Sequence, residues 1–174
     1  MRQAATMAIE GNRQDEFGQL LHAHRKIVFK VANTYARHAE DRADLAQEIA
    51  AQLWRAFPGF DRQRTFSTWM YRIALNVAIS HVRSQTQRQR HAVPLDEQLH
   101  DIADDNGPNH EADERVRALH RFLAQLDPLN RALLLLYLED RSTREIADIL
   151  GISQTNVSTK IGRLKQRIRS DISN

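Results

Sequence analysis

The sequence predicts an all-α protein built from two small helical domains joined by an acidic linker. Apolar residues recur at steps of three and four along most of the 174 residues, which is the spacing of one helix face. Glycine and proline, which interrupt helices, are few, with six and four copies. An acidic stretch divides this pattern in two. We therefore place the domains at residues 10–90 and 113–174, with the linker at residues 91–112.

Three amphipathic helices that can share one core are predicted in the first domain. The first covers about residues 15–38, and residues 1–14, which lack strong periodicity, are expected to be frayed. The second covers about residues 42–57, where Pro58-Gly59 stops it, and the third covers about residues 65–84, with Thr65 or Ser67 as its cap. The second helix carries a buried stripe of residues four apart, namely Leu45, Ile49, Leu53 and Phe57.

Charge changes sign along the chain, although the formal net charge is only +3. Every charged residue from Arg62 to Arg90 is an arginine, and every charged residue from Asp96 to Glu114 is acidic. The acidic stretch contains the helix breaker Asn106-Gly107-Pro108, which is typical of a linker. One short helical turn is predicted within it from the spacing of Leu95, Leu99 and Ile102.

The second domain is predicted to bury one helix beneath a helical pair. Asp127-Pro128 has the pattern of a helix start, and the following run Leu133–Leu136 is apolar on all sides. Ser142 and Glu145 have the spacing of a capping box, so a helix should begin at Thr143. Gly151 can adopt the left-handed conformation that ends this helix.

The last helix follows so closely that the pair predicts a helix-turn-helix. Ser153 can cap it, and the small Ala147 lies where the two helices would cross. Its apolar face consists of residues at steps of four, three and four, namely Val157, Ile161, Leu164 and Ile168. The alternative is an ordinary helical hairpin with a glycine turn, which explains fewer of these features.

The other faces of this helix suit DNA. Short polar residues lie at its N-terminus, where a helix-turn-helix meets base edges, and no acid occurs from Gln154 to Ser170. A solvated basic face is the alternative interpretation. The predicted DNA-contacting residues are Gln154, Thr155, Asn156, Ser158, Thr159, Lys160, Arg163 and Arg167.

Composition and motifs exclude several other classes. There is no cysteine, so disulfides and thiolate metal sites are absent, which fits a cytoplasmic protein. No apolar run approaches the roughly 18 residues of a membrane span, and residues 1–14 lack the apolar core of a signal peptide. The histidines have no metal-ligand spacing, and no nucleophile motif or phosphate-binding loop occurs. We expect no enzyme activity, cofactor, metal or membrane insertion.

Two runs in the first domain and one in the second carry a family resemblance. They are Asp44-Leu-Ala-Gln-Glu-Ile49 with Leu53-Trp54, Phe66-Ser-Thr-Trp-Met-Tyr-Arg-Ile-Ala-Leu-Asn76, and Glu145-Ile-Ala-Asp-Ile-Leu-Gly-Ile-Ser153 with the helix after it. In this order, on either side of an acidic linker, they resemble a bacterial RNA polymerase sigma factor of the extracytoplasmic-function class (group IV of the sigma-70 family). The resemblance covers about residues 17–172.

The resemblance implies that the protein directs promoter-specific initiation by core RNA polymerase. Its first domain (sigma region 2) would bind the polymerase β′ coiled coil and melt the minus-ten element. Its second (sigma region 4) would face the β flap and read the minus-thirty-five element with the helix-turn-helix. An anti-sigma factor is a further partner that such proteins often have. The residues implied in polymerase binding are Asp41, Asp44, Gln47, Glu48 and Arg55.

The melted minus-ten strand would be bound by the segment around residues 62–83. Single-stranded DNA calls for cations along its backbone and for rings or pockets that receive unstacked bases. Phe66 and Trp69 remain open between core and base contact, with the core favoured for Trp69. The residues implied are Arg62, Arg64, Phe66, Trp69, Arg72, Asn76 and Arg83.

Two departures from the family pattern affect specificity. Ile79-Ser80 stands where the family often has Ile-Asp, so one local contact in the minus-ten segment is absent or replaced. In the last helix, Asn156-Val157-Ser158 stands where many members carry Thr-Val-Lys. Because asparagine can pair bidentately with adenine, Asn156 suggests an adenine contact.

Three other functions are alternatives for this sequence. A dimeric regulator that binds duplex operators explains the second domain equally well but not the two runs in the first. A protein-interaction module held inactive by a partner is compatible with a sigma factor under an anti-sigma protein. An enzyme acting on nucleic acid lacks a metal or base cluster.

Overall fold

The computed structural model describes the backbone of residues 2–91 and 121–172, and the side chains of residues 11–87 and 121–170. Within these ranges every regular element is a helix, so the all-α prediction is confirmed. Residues 121–125 are also helical, and a short 3₁₀ turn covers Phe57–Gly59. The main helices are α1 (Arg2–Tyr35), α2 (Ala39–Ala56), α3 (Phe66–His91), α4 (Pro128–Leu138), α5 (Thr143–Leu150) and α6 (Gln154–Ile172).

Helices α1, α2 and α3 pack against one another and form the first module. The predicted stripe of α2 lies in its centre, because Leu45, Ile49 and Leu53 are completely buried. Val31 of α1 and Met70 of α3 are buried with them. The three-helix core of the first domain is therefore confirmed.

Two helices of the first module are longer than predicted. Helix α1 begins at Arg2 rather than near Asp15, and α3 continues to His91 rather than ending near Ser84. The added residues include Ala, Met, Gln, Arg and Glu, which have high intrinsic helix propensity. Amphipathic periodicity marks only the part of a helix that packs on a core, so it missed these extensions.

Helices α4, α5 and α6 form the second module, with α4 in its interior. Every residue from Ala132 to Leu136 is buried, as the apolar run predicts. The Asp127 carboxylate caps α4 by accepting from the N–H groups of Leu129 (3.1 Å) and Asn130 (3.0 Å). Helix α6 packs against both α4 and α5. The predicted buried helix beneath a helical pair is confirmed.

The two modules contact each other directly. Helix α3 packs against α4 and α5, and α1 packs against α4. Most of the predicted linker at residues 91–112, including the helical turn at Leu95, Leu99 and Ile102, lies outside the described residues.

Candidate nucleic-acid and polymerase interfaces

A capping box and a left-handed glycine define the turn between α5 and α6. Ser142 Oγ accepts from the N–H of Glu145 (3.2 Å), and the Glu145 carboxylate accepts from the N–H of Ser142 (2.9 Å). Gly151 ends α5 with φ of 68°, a conformation that costs residues with a Cβ. Ser153 Oγ then accepts from the N–H of Asn156 (3.2 Å) at the start of α6. The predicted caps and turn are confirmed.

The buried face of α6 determines which residues reach solvent. Val157 is completely buried and Leu164 is nearly so, while Ile161 and Ile168 are half-buried. Lys160 is half-buried as well. The other residues predicted to contact DNA are all exposed: Gln154, Thr155, Asn156, Ser158, Thr159, Arg163 and Arg167.

Aromatic rings of the second module position two basic side chains of α6. The guanidinium of Arg167 lies 5.7 Å from the ring centroid of Phe122, and Lys165 Nζ lies 4.5 Å from that of Tyr137. Cation–π contacts at exposed sites contribute about 0.5–1 kcal/mol. They limit the freedom of these side chains and keep positive charge along the helix.

The capping box makes the second module sensitive to acid. Hydrogen bonds from the backbone and the hydroxyl of Ser142 hold the pKa of Glu145 below its ordinary value. Folding lowers the pKa of this carboxyl, so its ionised form stabilises the folded protein at any pH above the pKa of the unfolded chain. This stabilisation is lost as the pH falls through the lower pKa of the folded protein. We therefore expect thermal stability to decline as pH drops below about 4.3, with a shallower decline in Glu145→Ala.

Thermal unfolding followed by circular dichroism between pH 7 and pH 3 measures this decline. Asp148→Ala is the matched control, because Asp148 is an exposed carboxylate on the same helix. Equal pH dependence in the wild type and Glu145→Ala would show that the capping box is not the source.

Four of the five residues implied in polymerase binding are exposed along α2. Asp41, Asp44, Glu48 and Arg55 follow one another at steps of three, four and seven residues, so they lie on one side of α2. Asp41 is half-buried, and Asp44, Gln47, Glu48 and Arg55 are exposed.

Trp54 adds an exposed aromatic ring next to this α2 face. The side chain is 37 % exposed, its ring packs on Phe17 with centroids 5.2 Å apart, and the Arg13 guanidinium lies 5.6 Å from its centroid. The sequence placed Trp54 in the polymerase-binding motif but not among the contact residues. A tryptophan between the stripe residue Leu53 and the charged Arg55 was the available signal.

An aromatic cluster connects the start of α3 to the end of α2. The ring centroids of Phe60 and Trp69 are 5.0 Å apart, those of Phe66 and Trp69 5.2 Å, and those of Phe57 and Phe60 6.1 Å. Phe66 is buried, whereas Trp69 is half-buried. The sequence left open whether Phe66 and Trp69 belong to the core or contact bases. In the structure Phe66 is part of the core, while Trp69 keeps some exposed surface.

A polar stripe extends along α3 from this cluster. Arg72, Asn76 and Arg83 are exposed, and steps of three, four and seven from Trp69 keep all four residues on one side of the helix. Arg62 and Arg64 are exposed in the preceding loop. Arg62 donates three hydrogen bonds to the Glu16 carboxylate, two from Nη2 (2.6 and 2.7 Å) and one from Nε (3.2 Å). The structure thus brings the α3 residues together and gives Arg62 a partner on α1.

Glu139, just after α4, is the centre of a polar contact between the modules. Its carboxylate accepts from Lys30 Nζ (2.6 Å) and from the Tyr71 hydroxyl (3.2 Å). Burial and the neighbouring carboxylate raise the pKa of Tyr71 to about 12, so the phenol remains a hydrogen-bond donor at neutral pH. The Arg141 guanidinium stacks 5.2 Å from the Tyr71 ring centroid. We call Lys30, Tyr71, Glu139 and Arg141 the interdomain latch.

A second contact between the modules joins the end of α1 to the start of α4. The Tyr35 hydroxyl donates to the carbonyl of Pro128 (2.6 Å), and the Arg131 guanidinium stacks 5.2 Å from the Tyr35 ring centroid. Burial raises the pKa of Tyr35, which keeps this hydroxyl protonated.

Neither contact between the modules was predicted from the sequence. The paired residues are 68 to 109 positions apart in the chain, and no periodicity relates them.

The described helices were also compared with membrane spans and metal sites. Within residues 2–91 and 121–172, no helix combines the length and apolarity needed to cross a membrane. The same residues contain no group of three or more side chains arranged to hold a metal ion.

A three-helix module together with a basic helix-turn-helix module is the architecture of a helical DNA-binding protein. Comparison with known families narrows this class. Residues 20–88 match the Sigma-70 region 2 family, and residues 116–168 match the Sigma-70 region 4 family. The chain therefore belongs to the sigma-70 family of RNA polymerase sigma factors, in the extracytoplasmic-function class, and serves promoter-specific transcription initiation.

Relatives agree with this assignment, and solved structures agree with the fold. The chain is 29% identical to RNA polymerase sigma factor CnrH of Cupriavidus metallidurans, covering 94% of this chain and 90% of CnrH. It is 24% identical to ECF RNA polymerase sigma factor SigW of Bacillus subtilis, covering 91% and 90%. The fold matches CnrH in complex with the cytosolic domain of CnrY, with a TM-score of 0.68, 24% identity and coverage of 97% and 94%. It also matches RpoE of Bartonella quintana in complex with the anti-sigma factor NepR, with a TM-score of 0.65, 16% identity and coverage of 92% and 96%.

Proposed function

We propose that the two modules read two promoter elements in different states. Helix α6 reads the minus-thirty-five element as duplex, and the α3 stripe binds the minus-ten element as a separated strand. The observation that carries the first assignment is the orientation of α6. Its buried Val157 and Leu164 turn the short polar residues and Arg163 toward solvent.

Two kinds of DNA contact are proposed along α6. Near its N-terminus the side chains are short and exposed, so bases can be reached closely, and Asn156 can pair with adenine through N6 and N7. Lys160, Arg163 and Arg167 contact phosphates, which fixes the register of the helix without reading sequence.

For the melted strand, the α3 stripe offers cations and one partly exposed ring. Arg72 and Arg83 follow the backbone, while Asn76 supplies an amide that can pair with a base edge. Trp69 can receive an unstacked base on the surface that the aromatic cluster leaves open. Unstacking costs a few kcal/mol per base, which polymerase binding and base capture together must offset.

The modules must separate to read both elements at once. Two elements whose centres lie roughly 25 base pairs apart are about 85 Å apart at about 3.4 Å per pair. A compact chain of 174 residues has a radius of gyration of about 16 Å, too small for that span. We therefore propose that the interdomain latch opens when the factor joins polymerase, with the α2 face on the β′ coiled coil and the second module at the β flap.

An anti-sigma factor is a proposed further partner, because one similar fold, RpoE, was solved with the anti-sigma factor NepR. Another, CnrH, was solved with the cytosolic domain of CnrY. The factor contributes binding alone in this account, and RNA synthesis belongs to the polymerase in the cytoplasm.

Two substitutions should separate the DNA-binding roles of the modules. Arg163→Ala should weaken holoenzyme binding to duplex promoter and reduce the salt slope of log K by about one, since one phosphate contact is lost. Arg72→Ala should instead weaken binding to a premelted minus-ten strand. Fluorescence anisotropy with a duplex probe and a forked probe, at several salt concentrations, measures both effects.

Arg25→Ala is the control, because this substitution removes the same charge. Arg25 is exposed on α1, outside both proposed DNA-binding surfaces. If Arg72→Ala weakened duplex binding and Arg163→Ala weakened only the forked probe, the assignment of elements to modules would be reversed.

A further inference from the structure

A cleft between the two modules is lined by four arginines. Its volume is about 760 Å³, within the roughly 300–1,000 Å³ typical of small-molecule sites. Arg37 and Arg42 come from the α1–α2 corner of the first module, and Arg121 and Arg131 come from the second. The amide side chains of Asn33 and Gln125 also line it.

These four positive charges have no paired carboxylate among the described residues. Each described ion pair involves other side chains, namely Lys30–Glu139, Arg62–Glu16, His81–Glu48 and Arg141–Glu145. Asp127 lies close enough to affect Arg131 electrostatically, but its carboxylate is engaged in capping α4. The cleft therefore holds a concentration of positive charge that its own described walls do not neutralise.

Arg131 lines the cleft, is half-buried, and is held in place by neutral groups. Its terminal nitrogens donate to the carbonyls of Leu126 (3.2 Å), Ala124 (3.3 Å) and Thr34 (3.5 Å). Its Nε is buried without a partner in the described structure. Burial, and after it the Arg37 guanidinium, lower the pKa of Arg131. Like charges thus face each other across the module boundary.

Arg37 and Arg121 are available to a ligand at the mouth of the cleft. Both are exposed, and their guanidinium groups make no described hydrogen bond. Arg42 is half-buried and donates one hydrogen bond, to the carbonyl of Arg37 (2.7 Å). Planar guanidinium groups bind phosphate oxygens in bidentate fashion.

We propose that this cleft binds a small polyphosphate anion, either free or carried on a nucleotide. The anion would take hydrogen bonds from both modules and hold them in the closed arrangement. A diphosphate alone occupies little of the volume, so the cleft favours a nucleotide, whose base can face Asn33 or Gln125. Binding of the anion does not depend on the proposed sigma-factor function. Any effect of the anion on polymerase recruitment would rest on that function.

Isothermal titration of the full chain with ADP, pyrophosphate and adenosine, without magnesium, tests the site. We expect ADP and pyrophosphate to bind and adenosine not to bind. Tighter binding of ADP assigns a nucleotide, and equal affinities assign the polyphosphate group itself. Arg37→Gln and Arg121→Gln should each lower the affinity for ADP at least about tenfold, the loss expected for a charge-assisted hydrogen bond. Both variants should show this loss because the two exposed guanidinium groups come from different modules.

Arg25→Gln is the control of equal charge, since Arg25 lies about 15 Å along α1 from Tyr35, where the helix reaches the cleft. It should bind ADP as the wild type does. Both exposed arginines are outside the core, and circular dichroism of each variant confirms folding. The proposal would be overturned if neither ADP nor pyrophosphate bound at about 1 mM. It would also be overturned if Arg163→Gln lost affinity for ADP while Arg37→Gln kept it. Loss in only one of the two cleft variants would overturn bridging between modules.

Discussion

Val157→Asp is expected to abolish recognition of the minus-thirty-five element while the first module still binds polymerase. Val157 is completely buried in the face of α6 that packs on the rest of its module. A carboxylate there would be buried among apolar side chains, and an uncompensated buried charge costs about 3–5 kcal/mol. A module of about 50 residues has only about 3–8 kcal/mol of stability in total. We expect duplex affinity of the holoenzyme to fall by at least about 100-fold.

Gln166→Asp introduces the same charge at an exposed position of α6 and is the matched control. It should leave the helix content and melting temperature close to those of the wild type and weaken DNA binding only through its charge. Circular dichroism and anisotropy on the two variants separate loss of the fold from loss of charge. A folded Val157→Asp protein with normal duplex binding would contradict the assigned orientation of α6.

Asp44→Ala is expected to weaken binding to core polymerase by about 30-fold or more. Asp44 is exposed on the side of α2 opposite the buried stripe. If it pairs with a cation of the polymerase, its truncation leaves that cation unpaired in the interface, which costs about 2–5 kcal/mol. Titration of core polymerase with labelled factor measures the change, and the intact α6 surface should keep its DNA contacts.

Asp15→Ala removes an equal charge from an exposed position of α1 and should bind polymerase normally. Equal loss in both variants would indicate a general effect of net charge. Full binding by Asp44→Ala would remove the α2 face from the polymerase interface.

The core and the helix caps were predictable because they depend on local spacing. Leu45, Ile49 and Leu53 repeat every four residues, and Ser142 with Glu145 satisfies the end of one helix within a single turn. Helix ends beyond the core were not predictable in this way. Residues 2–14 have helix propensity without amphipathic spacing, so the pattern placed the start of α1 too late.

The DNA and polymerase residues were predictable in part. The exposed face of α6 follows from its buried stripe, and the family resemblance directed attention to α2 and α3. Phe66 could not be assigned from spacing, because a buried aromatic and a base-stacking aromatic have the same period. The latch at Glu139 and the arginine cleft depend on how distant segments meet, which no local pattern contains.

Transcription in vitro with purified core polymerase and a promoter library, followed by sequencing of the RNA 5′ ends, tests the central claim most directly. The account predicts start sites that appear only with the protein, each downstream of two motifs at fixed spacing. It also predicts that Arg163→Ala changes the yield from the library more at low than at high DNA concentration. Tight binding to duplex DNA without polymerase binding or transcripts would contradict the account and support a dimeric regulator of duplex operators.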